Sequence, residues 1–138
     1  MKNIYVLFGL VLMLTACHRK GNNEIITYTK GNGPFMYVKE ERYDAGKVKQ
    51  GDKVKHTFIV ENRGKAELVI KSVTASCGCT IAKFEKQPIA PGKSTPIDVI
   101  FNSEGKSGIQ DKNITVVSNA VPDTKTLTLH CEVLNNNK

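Results

Sequence analysis

From Thr126 to Val133 apolar and polar side chains alternate without a break. Leu127, Leu129, Cys131 and Val133 take one parity and Thr126, Thr128, His130 and Glu132 the other. A period of two suits a strand with one face in the core and does not suit a helix, which gathers residues three and four apart. The same alternation runs through Val54, His56, Phe58 and Val60 against Lys55, Thr57 and Glu61, and returns at Ile97, Val99 and Phe101. No helical periodicity of useful length occurs from Phe35 onward, so the chain is expected to be all-β.

The remaining strands are shorter. Phe35 to Glu40 reads as a first strand, and Tyr43-Asp44-Ala45-Gly46 with Gln50-Gly51-Asp52 reads as a turn-rich passage around Val48. Leu68-Val69-Ile70 opens a strand that Val73 and Ala75 carry forward, and Thr80 to Phe84 reads as its short continuation. Pro88 to Lys93 forms a loop that proline and glycine keep out of any ladder, and Ile114 and Val116 mark one more strand. About seven short strands over roughly 100 residues describe an immunoglobulin-like β-sandwich. The expected domain runs from 35 to 134, with 135 to 138 as a polar tail.

The first residues read as an address. Met1-Lys2-Asn3 is a short cationic start, and Ile4 to Leu14 is an apolar run of 11 residues. A helix needs about 20 residues to span a bilayer, so a secretory signal fits better. Leu14-Thr15-Ala16-Cys17 looks like a bacterial lipobox, which predicts a lipoprotein signal peptide over 1 to 16 and lipidation of Cys17. Several acyl chains on one cysteine, at about 0.8 kcal/mol per buried methylene, anchor a protein stably without spanning. His18-Arg19-Lys20 lies where head groups would be, and no acidic run follows the cysteine. The expectation is a periplasm-facing domain in a bacterial envelope, held to the outer membrane. Residues 17 to 34 are polar apart from Ile25-Ile26 and read as a tether of roughly 20 to 24 Å reach.

The stretch that looks chemical is Ser76-Cys77-Gly78-Cys79-Thr80. An oxidising envelope favours disulfides or metal ligation for adjacent thiols. Cys77 and Cys79 could bond to each other: their α-carbons would lie about 6.6 Å apart in an extended strand, at the edge of the disulfide range, and a left-handed or tight turn at Gly78 would shorten that span. A bond to Cys131 would have to cross two strand spacings, about 9.6 Å, so Cys131 reads as core. The third reading is a soft metal such as Cu(I) on two thiolates, an incomplete site because no second Cys pair or His-x-His accompanies them.

Other residues are less specific. His56 has inward parity and reads as a half-buried, hydrogen-bonded core residue, while His130 reads as outward, beside Glu132. Net charge is +7, yet 17 of the 20 basic residues are lysine, spread along the chain, and there is no Trp. That composition argues against nucleic-acid recognition, which favours arginine forks and stacking aromatics. No nucleophile elbow, phosphate-cradling loop or paired-carboxylate motif is visible, so no enzyme and no small-molecule substrate is expected.

Tyr43-Asp44-Ala45-Gly46, Gly51-Asp52, His56-Thr57-Phe58, Glu61-Asn62, Gly64-Lys65-Ala66, Leu68-Val69-Ile70, Ser76-Cys77-Gly78-Cys79-Thr80, Ile89-Ala90-Pro91-Gly92 and Val117-Ser118-Asn119 together resemble the bacterial domain-of-unknown-function family 1573, over most of residues 35 to 134. The resemblance implies a sandwich similar to PapD-like and major-sperm-protein-like domains, which mostly bind or assemble other proteins. It implies no enzymatic activity. Ala45 stands where the family usually has an aromatic. The expected function is therefore that of a non-catalytic, membrane-anchored module with an envelope protein partner. The alternative is a thiol-redox or Cu(I)-handling protein that uses Cys77 and Cys79.

Overall fold

A computed structural model describes residues 31–135. The expected signal peptide, Cys17 and most of the tether lie outside the described residues, as does the polar tail after Asn135. Eight strands follow in order: β1 (Met36–Val38), β2 (Arg42–Lys49), β3 (Lys53–Asn62), β4 (Ile70–Ala75), β5 (Thr80–Phe84), β6 (Ser94–Asn102), β7 (Gly108–Ser118) and β8 (Thr124–Leu134). They form two four-stranded sheets, β1-β3-β6-β5 and β2-β8-β7-β4, with no helix among the described residues. The all-β sandwich is as the alternation required, with one strand more than expected.

The inner parity of each long strand makes the core. Phe58, Val60, Ile97, Val99 and Phe101 from one sheet meet Ile114, Val116, Leu127, Leu129 and Cys131 from the other, all buried. Burying one such side chain contributes about 1.5–3 kcal/mol, which is why a slip of register by one residue is excluded.

Two passages differ from the sequence expectation. Tyr43 to Lys49 is a strand, not a turn region. It pairs parallel with β8, and the register shifts between Asp44 and Lys47, where Gly46 takes a positive φ of 68°. The bulge interrupts the alternation that would have marked the strand. Thr80 to Phe84 is also no continuation of β4. The chain leaves β4 in one sheet, turns through Ser76–Cys79, and enters β5 at the edge of the other sheet. Leu68 does not open β4 but makes an isolated antiparallel bridge with Ile89.

Asn62 fixes the opposite pole. It is fully buried, and its amide nitrogen donates to the carbonyls of Ala66 and Ile89 at 2.7 and 2.8 Å. Its side-chain oxygen accepts from the Gly64 amide at 2.9 Å. Gly64 packs so closely on the incoming chain that a β-carbon there would lie 2.3 Å from the Gly33 carbonyl oxygen and 2.4 Å from the Phe35 nitrogen.

Candidate functional site

The corner between β4 and β5 brings the sulfur residues together. Cys77 and Cys79 are joined by a disulfide, with α-carbons 5.3 Å apart. The shortening comes from a turn in which the Thr80 amide donates to the Cys77 carbonyl at 3.1 Å. Gly78 reaches this turn without a positive φ, and a β-carbon placed on it would meet nothing within 4 Å. The left-handed conformation considered for Gly78 is thus not used. Cys131 is buried and unbonded, and burial pushes its thiol pKa up, which keeps it protonated and inert.

Both flanks of the corner are tied to neighbouring strands. The Ser76 amide donates to the Asn113 carbonyl at 2.8 Å, and the Asn113 amide donates to Ser76 Oγ at 3.2 Å. The Asn102 amide donates to the Cys79 carbonyl at 2.9 Å. Both sulfur residues are half-buried, whereas Thr80 is buried, with its hydroxyl 3.5 Å from Cys77 Sγ. Sulfur in a disulfide carries no hydrogen, so the hydroxyl is the donor in that contact.

A cleft of about 420 Å3 opens beside the disulfide, lined by Lys53, Lys55, Cys79, Ile81, Ile100 and Asn102. Neither lysine belongs to an ion pair among the described residues. A soft metal would find two sulfur ligands here only after reduction. Among the described residues no group of three or more His, Cys, Asp or Glu is placed to hold a metal ion.

The histidines lie elsewhere. His56 has 16% of its side chain exposed, stacks on Tyr43 with ring centroids 3.7 Å apart, and has Nε2 3.3 Å from Glu40 Oε2. That nitrogen is buried and has no well-formed hydrogen bond, so His56 is core-facing as expected but is held by stacking. His130 is paired to Asp111 on β7, with Nδ1 donating at 2.8 Å, and not to Glu132. Arg42 reaches the same Asp111 oxygen at 3.0 Å. The His130 hydrogen bond, aided by Arg42, holds the Asp111 carboxyl below its ordinary pKa. Sequence parity could not show this cluster, because it joins three strands across two register relations.

The edges of the two sheets matter for any partner. β1 has three residues, β2 carries the Gly46 bulge, and β4 has a register shift between Ile70 and Ser72 beside exposed Lys71. β5 pairs with β6 in unbroken register and leaves its other side open. Because the Asn102 amide bonds the Cys79 carbonyl, alternation turns the backbone groups of Ile81 and Lys83 toward β6 and those of Thr80, Ala82 and Phe84 toward the open edge. Ile81 is 56% exposed beside them.

Comparison with known proteins agrees with this architecture. A crystal structure of a protein of unknown function from Porphyromonas gingivalis W83 superposes with a TM-score of 0.67 at 20% identity, covering 79% of this chain and 51% of that one. A PapD-like domain of human CEP192 superposes at 0.59 with 9% identity, covering 87% and 99%. The secreted serine protease VesC from Vibrio cholerae superposes at 0.57 with 16% identity, covering 77% of this chain and 24% of the protease. These likenesses are of fold. The chain spans about half of the Porphyromonas protein and about a quarter of VesC. No curated protein matches the chain. The family described as Protein of unknown function (DUF1573) matches residues 36–133, the whole sandwich from β1 into β8, and the chain belongs to that family.

Proposed function

We propose that this chain is a non-catalytic lipoprotein of a bacterial envelope, held through lipid on Cys17 to the outer membrane and facing the periplasm, whose sandwich binds another envelope protein in extended form along β5. The observation that carries the reading is the open edge. Long regular edges are aggregation hazards that proteins usually bulge, shorten or cover, and β1, β2 and β4 are each short or bulged. β5 is regular and, since the Thr80 amide is taken by the Cys77 carbonyl, offers the Thr80 carbonyl and the outward groups of Ala82 and Phe84 to a partner strand. Lys83 on β5 and Lys86 just beyond it are exposed, with Glu85 between them, and the net positive charge makes the complementary segment an acidic one with an apolar residue to cover Ile81.

The test uses a photo-cross-linking residue at Ile81 in cells, with Thr126 on the opposite sheet as the control site. One defined envelope protein should be captured from position 81 and not from 126, and Ala82→Pro should abolish that capture. Proline removes an outward amide and so leaves the β6 ladder intact. Equal capture from both sites, or capture indifferent to Ala82→Pro, would overturn the reading. Loss of membrane association in Cys17→Ser tests the anchor separately.

A further inference from the structure

We propose that the β4–β5 corner is also a polarised thiol–disulfide exchange site, in which Cys79 is the sulfur attacked and Cys77 the sulfur released. Two independent features give it this polarity. The cleft with Lys53 and Lys55 opens onto Cys79, so an incoming thiolate meets positive charge there. The Thr80 hydroxyl points at Cys77 Sγ from 3.5 Å, so the thiolate that would leave Cys77 already has a donor. Exchange is faster when the leaving sulfur is stabilised as its thiolate. Thr80 is held in place by burial and by the hydrogen bond its backbone N–H donates to the Cys77 carbonyl.

The substrate class is a cysteine pair on another polypeptide. A thiolate of that pair attacks Cys79 Sγ, forming a mixed disulfide, and the Cys79–Cys77 bond breaks with its electrons going to Cys77 Sγ. The Thr80 hydroxyl hydrogen-bonds the new Cys77 thiolate, which then takes a proton from water. The partner's second thiolate next attacks the partner sulfur of the mixed disulfide, and Cys79 departs as a thiolate. Two electrons have passed from the partner's thiols to this chain, and the partner has gained a disulfide. Thr80 is a positioning residue here, because it acts through Cys77.

The experiment treats the full-length chain with reduced glutathione under native conditions, quenches by rapid alkylation and maps the adduct. The expected result is glutathione on Cys79 and the alkyl group on Cys77. Thr80→Val should slow opening roughly tenfold, as loss of a hydrogen bond to a charged group implies, while Thr80→Ser restores it. The denatured chains should all react alike. Lys53→Gln with Lys55→Gln should reduce the salt dependence of the native rate. Should Thr80→Val fail to fold, the adduct position and the lysine pair still decide. Glutathione on Cys77, a rate unchanged in Thr80→Val, or a bond that opens only on unfolding would overturn the proposal. The probe is glutathione, so the outcome does not depend on a partner at β5.

Discussion

Gly64 and Gly78 look alike in the sequence, each in a polar turn, and the fold uses them in opposite ways. At Gly64 a β-carbon would strike the backbone of Gly33 and Phe35, atoms that cannot swing aside. At Gly78 the same atom meets open space on a backbone that any residue can adopt. Gly64→Ala is therefore expected to cost about 3 kcal/mol or more. Gly78→Ala should lie between no change and a gain of about 1 kcal/mol, through the unfolded chain. Denaturant midpoints of the two variants check both. Cys77, Cys79 and Thr80 were all legible as part of the chemical stretch, but the part Thr80 plays in it was not. Its hydroxyl acquires meaning only once the turn folds it back over Cys77 Sγ, a through-space relation that spacing does not reveal. The Asp111 partner of His130 was hidden for the same reason.

At the scale of elements, what could be read was whatever local alternation encodes. β3, β6 and β8 each turn alternate residues inward, with His56 on β3 only half-buried, and their parity in the sequence is their parity in the fold. β2 escaped because its pattern is broken at Gly46 and its partner, β8, lies about the length of the domain away in sequence. β4 and β5 escaped differently. Both are strands by composition, yet nothing local says that the Cys77–Cys79 turn carries the chain from one sheet to the other. The bulge itself is testable. A β-branched residue at a φ of 68° is strained, so Gly46→Val should cost about 2 kcal/mol. The loss should be confined at first to β2: hydrogen exchange should rise over Arg42–Lys49 while the β7–β8 pair keeps its protection.

Across the whole molecule, one core shared by both sheets holds the fold, and the disulfide is expected to add little stability to it. A bond between residues two apart in sequence closes a very small ring and so constrains the unfolded chain only slightly. Replacing both Cys77 and Cys79 by alanine should lower stability by less than about 2 kcal/mol and leave a single cooperative transition. A larger loss, or a split transition, would show that the bond is a structural staple. That outcome would remove the reason to regard the corner as chemically available.

The positions of β1 and β5 have a mechanical consequence. They are the two outer strands of the same sheet, with β3 and β6 between them. A lipid tether arriving at Gly33-Pro34-Phe35 would pull on one side of that sheet, and a protein seated on β5 would pull on the other. Tension between membrane and partner would then cross three ladders in series, and the shortest is that of β1, with three residues. Gly64 lies beside that point, with the neighbouring Lys65 amide bonded to the Gly33 carbonyl at 3.0 Å and the Arg63 amide to the Phe35 carbonyl at 2.9 Å. Those bonds would reinforce the weakest link, and under such a load the close-packed glycine would serve as a strain relief where the load enters.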